Sequence, residues 1–288
     1  MAPSFRYAQP HHLSEAFDIL DRYGRDASLL AGGTDLVVGV RKGRIAPRMI
    51  VDLKRISGLA PGIAETEGRV SISAPTRLSE IIADRRIHDH FPALVEAART
   101  VGSVQIRNRA TLTGNICNAS PAADTAPALL AYGAGVVLIS RLGSRRLPLD
   151  EFLLGPRRTS RGADEIAAAV EIPMTRARTG SQFARLTRRR GVDLATISLC
   201  CTVGARVTRL AFGAVGPKPF VMTDESGVLA DPDSEPAARM ALLRDFVAQA
   251  TPISDLRGSR EYRLAMLLAL SQRALRTAIA RRDRRDRG

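Results

Sequence analysis

Residues 111–127, TLTGNICNASPAADTAP, constrain this chain more than any other stretch. Leu112 and Ile116 are the only sizeable aliphatic side chains among small residues, two asparagines, a cysteine and two prolines. Such a run cannot fill a core, so its backbone is being kept slim for something that approaches it. Proline loses a hydrogen bond and clashes inside a helix but is tolerated in the first turn, where the N–H groups are free. Pro127 therefore predicts a helix, TAPALLAYG, starting after Asp124 as N-cap. Upstream, TLTGN reads as a strand-like run ending in a turn at Gly114. Small side chains and exposed N–H groups suit an anion such as a pyrophosphate. AGGTD, residues 31–35, offers the same chemistry, with paired glycines leading into a helix start. A glycine turn before a helix is commonly only a turn, and an aspartate such as Asp124 is by itself more often a plain N-cap than a ligand. Two such loops together could grip a dinucleotide from both sides. Neither continues into Rossmann or Walker spacing, so a different dinucleotide fold is required.

The rest of the chain alternates helices and strands. Leu13, Phe17, Leu20 and Tyr23 recur at helical spacing, with Ser14 as the expected cap and Gly24 as the stop. SLLAGG and MIVDL read as buried strands around the helical DLVVGVRKG, capped by Thr34 or Asp35, which makes a βαβ-like unit. From Ile63 the pattern becomes a hairpin turning at Gly68, with Val70, Ile72 and Ala74 alternating inward. Helices over about 77–87 and 92–101 follow, then a second hairpin around LGS and the strand EIAAAVEIP, ended by Pro173. The arginine-dense TRARTGSQFARLTRRRG reads as a helix-poor boundary. Beyond it lie antiparallel strands from LATISLCC onward and two amphipathic helices, about 235–250 and 259–281. The resulting expectation is an α+β chain in three parts, residues 1–57, 58–176 and 177–288.

Charge and cysteine content narrow the function classes. The net charge of +14 and the terminal RRDRRDRG invite a nucleic-acid reading. Of the 43 basic residues, however, only Lys42, Lys54 and Lys218 are lysine. That bias is what a GC-rich genome produces without selection for phosphate binding. Aromatic residues are only 4%, which leaves few platforms for base stacking, so no specific nucleic acid is expected. A basic surface serves equally to dock an acidic protein partner. Cys117, Cys200 and Cys201 include no CxxC spacing, and His11, His12, His88 and His90 form no metal pattern, so no metal site is expected. No apolar run reaches the roughly 18 residues of a membrane span. The first 15 residues lack the basic and apolar segments of a signal peptide. A cytoplasmic location is the expectation.

AGGTDLVVGVRKG, QIRNRATLTGNICNASPAADTAPALLAYGA, RRRGVDLATIS, FGAVGPKP and ISDLRGSREYR occur in that order. Together they resemble the FAD-binding medium subunit of the molybdenum hydroxylases, the family of carbon monoxide, xanthine and nicotine dehydrogenases. The resemblance covers essentially the whole chain. It implies a two-subdomain FAD-binding module of the vanillyl-alcohol-oxidase type followed by a C-terminal domain of antiparallel strands and helices. It implies FAD as cofactor, with an iron–sulfur small subunit and a molybdopterin large subunit as partners. Electrons would pass from the iron–sulfur clusters to the flavin and on to NAD+, a quinone or oxygen, with no catalytic side chain required. A stand-alone FAD-dependent oxidoreductase is the alternative. It would need an acid or base over the flavin, and none of these motifs supplies one.

The resemblance also assigns positions. Ala31, Gly32, Gly33, Thr34 and Asp35 match the first FAD loop, facing the diphosphate, and Thr111, Thr113, Gly114 and Asn115 match the second. Thr113 replaces a glycine usual in the family; being β-branched it resists positive φ, so it implies ordinary backbone there or a looser grip. Asp124 falls where relatives place a carboxylate near the ribityl chain, and Val101 where some have an aromatic residue against the adenine. Arg185 matches a basic residue close to the flavin, and Asp193 and Leu194 match the loop near the isoalloxazine. No histidine or cysteine falls at a position assigned beside the flavin's methyl groups, so noncovalent binding is expected. The cysteine-rich insertion of benzoyl-CoA-type relatives is missing from the sequence.

Overall fold

A computed structural model describes residues 4–174 and 179–285 of the chain. The boundary expected between residues 176 and 177, and residues 286–288 of the basic terminus, lie outside the described residues. Three main sheets and their helices make the expected α+β architecture.

The first unit runs β1 (Arg6–Ala8), α1 (Leu13–Tyr23), β2 (Ala27–Leu30), α2 (Leu36–Arg41) and β3 (Met49–Asp52). Its strands are parallel in the order β1-β3-β2. Ala16, Phe17 and Leu20 give α1 one apolar face, which packs on Val51, Ile56 and two residues from a later strand, Ile166 and Ala168. Ser14 does not cap this helix. His12 holds the cap position without a side-chain bond, and the Glu15 carboxylate accepts from the His11 N–H at 2.9 Å. Gly24, with φ 50°, ends α1 as expected.

The second unit opens with the hairpin of β4 (Ile63–Thr66) and β5 (Arg69–Ser73). Glu67 and Gly68 have φ of 51° and 72°, the positive pair that a tight two-residue hairpin turn demands. Six short helices follow: α3 (Leu78–Ala83), α4 (Arg85–His90), α5 (Pro92–Thr100), α6 (Val104–Arg107), α7 (Leu112–Cys117) and α8 (Thr125–Ala131). The single helix expected over 77–87 is thus two. Asp84 ends α3, and its carboxylate accepts from the N–H groups of Arg86 and Ile87 at 2.9 and 3.3 Å, starting α4. Aspartate competes for backbone donors and so favours a cap over a helix interior. After β6 (Gly135–Ser140), β7 (Gly143–Pro148) and α9 (Leu149–Phe152) comes a ribbon of β8 (Leu153–Gly155) and β9 (Arg158–Thr159), then β10 (Ile166–Pro173). The main sheet is antiparallel, ordered β4-β5-β10-β6-β7, and α3, α4, α5, α7 and α8 share its core.

The third unit is an antiparallel meander of β11 (Gly180–Leu186), β12 (Ile197–Val203), β13 (Thr208–Gly213) and β14 (Phe220–Asp224), covered by α10 (Pro236–Ala248) and α11 (Arg260–Arg285). β11 lies inside the arginine-dense segment read as a boundary. Every residue of β12 is buried, and alternation sends its side chains into two cores. Cys200 joins Phe183 and Ala211 in the core of the second unit, while Leu199 and Cys201 pack with Leu267 and Leu275 of α11. The meander is therefore a shared wall. That wall holds β11 and the segment after it in place beside α5 and α8. Among the described residues, no helix is long and apolar enough to cross a membrane.

Candidate functional site

A cleft of about 690 Å³ opens where the first unit meets α5 to α8 and the segment between β11 and β12. Its size is that of a small-molecule or cofactor site. The loop from Ala31 to Asp35 forms one wall and the start of α7 another. The two touch directly: a Cβ on Gly32 would stand 2.2 Å from the Arg109 carbonyl oxygen, so only glycine lets these backbones meet. Gly33, at φ +77°, turns the chain into α2. Asp35 occupies the cap position of α2, but its carboxylate makes no capping bond, so that part of the expectation is corrected. The Ala31 carbonyl is held by Lys54 Nζ at 3.3 Å, and Lys54 is itself anchored 2.7 Å from the buried Asp52 carboxylate.

The segment TLTGN is not a strand and turn. Thr111 caps α7, its Oγ1 accepting from the Gly114 N–H at 3.1 Å, and residues 112–117 are helical. An N-cap bond outweighs the weak strand preference of two threonines. Gly114 therefore has ordinary helical backbone, and its smallness matters because a Cβ would lie 2.8 Å from Thr111 Oγ1. Thr113 adopts helical geometry without strain. Its hydroxyl is buried and has no hydrogen-bond partner. Asn115 is held by the Thr125 hydroxyl, which donates to Asn115 Oδ1 at 2.7 Å.

Asp124 occupies the cap position of α8, yet its side chain makes no capping bond. Its Oδ2 accepts instead from Arg185 Nη1 at 2.7 Å and from the Thr100 hydroxyl at 3.1 Å. A full opposite charge outcompetes backbone N–H groups for a buried carboxylate. Burial pushes the Asp124 carboxyl up from its ordinary value, and the Arg185 charge partly offsets this. Asp124 Oδ1 is buried with no partner. Arg185 itself stands behind Asp124, outside the cleft lining, and reaches the Asp193 carbonyl at 3.4 Å. Asp193 accepts from the Leu194 N–H at 2.9 Å through Oδ1, while its Oδ2 is buried without a hydrogen bond, 4.0 Å from Arg188 Nε. Val101 and the half-exposed Leu194 line the same cleft.

Of the positions expected in the site, all but Arg185 line this cleft. Others there were not expected: Thr100, Cys117, Arg44, Arg157, Arg161 and Arg189. GPRRTSRG carried the signal for Arg157 and Arg161, but arginine is so common in the chain that a local cluster does not stand out. Burial pushes the Cys117 thiol up to about 11, so it is protonated and unreactive at neutral pH. The His88 ring lies away from the cleft, one ring nitrogen 2.8 Å from the Ile82 carbonyl. Chemically, the site combines backbone close approach, cationic side chains, and three buried oxygens that lack hydrogen-bond partners. This suits a bound molecule carrying phosphates and hydroxyls.

Comparison with known proteins follows the same division. Residues 3–175 match the family model described as the FAD binding domain in molybdopterin dehydrogenase, and residues 182–278 match the CO dehydrogenase flavoprotein C-terminal domain. The carbon monoxide dehydrogenase medium chain of Hydrogenophaga pseudoflava is 32% identical over 286 residues, covering 97% of this chain and 98% of its own. The xanthine dehydrogenase FAD-binding subunit of Escherichia coli O157:H7 is 29% identical over 286 residues, covering 96% and 97%. Among solved structures, carbon monoxide dehydrogenase from Hydrogenophaga pseudoflava lacking the Mo-pyranopterin moiety superposes with a TM-score of 0.88 at 30% identity, covering 98% of this chain and 99% of that one.

Proposed function

The chain belongs to the FAD-binding medium subunits of the molybdenum hydroxylases, and from that premise we propose that it relays electrons within a larger oxidoreductase. It is an oxidoreductase subunit, and its cofactor is FAD. In the proposed assembly, iron–sulfur clusters of a small subunit deliver the electrons, and NAD+, a quinone or oxygen removes them. A large molybdopterin subunit carries out the substrate chemistry, and the setting is cytoplasmic. Bound FAD supplies the exchange between electrons accepted singly and electrons released in pairs. The rest of the work is binding and orientation by this chain's residues.

The observation that carries the reading is the set of buried oxygens without hydrogen-bond partners around one cleft: Thr113 Oγ1, Asp124 Oδ1 and Asp193 Oδ2, the last with only the Arg188 guanidinium 4.0 Å away. A buried polar group without a partner costs about 1–3 kcal/mol, so a cluster of them marks where a ligand supplies the missing partners. These residues fit FAD. The Thr113 hydroxyl can donate to a phosphate oxygen, and Asp124 Oδ1 can accept from a ribityl hydroxyl. Ala31 to Asp35 and Thr111 to Asn115 take the two sides of the diphosphate, whose charge Arg44, Arg157, Arg161 and Arg189 balance. Val101 lies toward the adenine. Asp193 and Leu194 lie toward the ring system, where Leu194 sheds water without the stacking of an aromatic residue. Arg185 fixes Asp124 and offsets part of the cost of burying its charge.

The test is direct. Purified protein is expected to show flavin absorbance at one FAD per chain, and acid precipitation is expected to release all of it, since no histidine or cysteine falls at a position assigned beside the flavin's methyl groups. Flavin retained in the acid pellet would overturn the noncovalent assignment. A tagged chain recovered from its own cells without a cysteine-rich or a molybdenum-containing partner would overturn the subunit reading.

A further inference from the structure

The C-terminal ends of the three parallel strands in the first unit converge on one buried carboxylate. Asp52 closes β3 and is 2% exposed. From β1, the Tyr7 hydroxyl donates to Asp52 Oδ2 at 2.5 Å, and Gln9 Nε2, just past that strand, donates to the same oxygen at 3.2 Å. Asp52 Oδ1 accepts from the Lys54 backbone N–H at 3.0 Å and stands 2.7 Å from Lys54 Nζ. Burial acts to raise this carboxyl, but the bonds from Lys54 and Tyr7 outweigh it and hold the group below the ordinary aspartate value, so it is ionised at neutral pH. Lys54 directs a second N–H at the Ala31 carbonyl, 3.3 Å away and immediately after β2. Ala31 to Asp35 line the cleft, whereas Lys54 stands outside its lining. Among the described residues, the backbone N–H groups of Gly32, Gly33 and Thr34 donate to no protein acceptor.

We propose that Lys54, anchored by Asp52, is a positioning residue for the diphosphate: it locks the Ala31–Gly32 peptide so that the free N–H groups of the loop face the cleft before the cofactor arrives. A trans peptide is planar, with its C=O and N–H on opposite sides. Fixing the Ala31 oxygen toward Lys54 therefore turns the Gly32 N–H away from Lys54. Without that hold the peptide rotates easily, because Gly32 lacks the Cβ that would restrict it and Gly33 already sits at φ +77°. Donors ordered in advance bind more tightly than donors that the ligand must order. The residue type fits the task as well. A compact ammonium on a flexible stem reaches two acceptors in different directions more readily than a planar guanidinium fork, and Lys54 is one of only three lysines among 43 basic residues. This inference rests on the proposed function, since it needs the loop to meet a diphosphate.

The experiment titrates FAD into the flavin-stripped full-length chain and reads the Kd, the absorbance band of the saturated complex and the melt of the flavin-free chain. Lys54→Met is expected to weaken FAD binding about tenfold, and Asp52→Asn, which frees the ammonium from its anchor, about fivefold. Lys54→Met also leaves the buried Asp52 charge uncompensated, so the double variant, in which neither charge remains, is the control for folding. Because Asp52 acts through Lys54, the double variant is expected to bind FAD about as weakly as Lys54→Met, and not at the product of the two losses, roughly fiftyfold. At saturation all three should show the wild-type absorbance band, since the ring end of the cleft is untouched. Wild-type affinity in Lys54→Met, or losses that multiply in the double variant, would overturn the proposal. So would a shifted band at saturation, which would spread the effect over the whole cleft. A wild-type chain that binds no FAD would sink the proposed function itself, whereas a wild-type chain that binds FAD no better than its variants sinks only this inference.

Discussion

Gly32 bears the closest backbone approach in the cleft, and its chemistry is that of a missing atom. A Cβ there falls 2.2 Å from the Arg109 oxygen and 2.9 Å from Ala110 Cα, both backbone, so neither can swing aside. Gly32→Val is therefore expected to push the two loops apart, abolish retained FAD, and cost about 1–3 kcal/mol of stability. Flavin per chain after desalting and a thermal melt measure the two effects. Asp124 poses the opposite problem, a charge that the protein buries. Because burial raises its folded-state carboxyl above the ordinary aspartate value, its favourable contribution to stability is complete below that ordinary value and fades as pH rises through the raised folded one. Arg185, 2.7 Å away, limits the loss. Arg185→Met removes that compensation. The variant should lose stability relative to wild type progressively as pH rises from the ordinary aspartate range toward neutrality, reaching about 3–5 kcal/mol there. Paired melts across that range check the sign as well as the size. A deficit that shrinks toward neutral pH would contradict the assignment.

At the scale of elements, short helices with side-chain caps dominate the middle of the chain, and caps decided what local patterns did not. Asp84 ends one helix and starts the next, so Asp84→Ala is expected to cost about 1–2 kcal/mol through the two lost backbone bonds. Since α4 does not line the cleft, flavin content should stay at the wild-type level; a melt and an absorbance spectrum of one preparation test both statements. Thr111 does for α7 what Asp84 does for α4, and there the sequence pattern misled. Two threonines around a leucine, followed by Gly-Asn, read as a strand and turn. The same five residues also hold a cap with its target three positions on, and that local bond fixes helical geometry. Ser14 and Asp35 show the converse, good capping residues whose side chains make no capping bond.

At the scale of the whole molecule, the chain holds a cofactor cleft but no cysteine set for an iron–sulfur cluster: Cys200 and Cys201 face different cores, and Cys117 lines the cleft alone. The purified single chain is expected to be reduced by artificial donors such as dithionite, yet not to oxidise carbon monoxide, a xanthine, an aldehyde or an N-heterocycle. Turnover of any of these with FAD as the only cofactor would promote the stand-alone oxidoreductase reading. Much was legible from the sequence because it depends on near neighbours in the chain. The α+β alternation, both hairpins, the Pro127 helix start and the AGGTD turn each follow from the residues on the spot. The family motifs, being local strings, were legible for the same reason. What the tertiary structure alone decided depends on residues far apart in the chain. That Gly32 is needed for Arg109, that Asp124 gives up its cap role for Arg185 and Thr100, and that arginines from three separate segments share one cleft all involve contacts across tens of residues. Periodicity reports which face of an element is buried. It carries no information about which distant backbone or charge will arrive there, because that depends on how three sheets pack against one another.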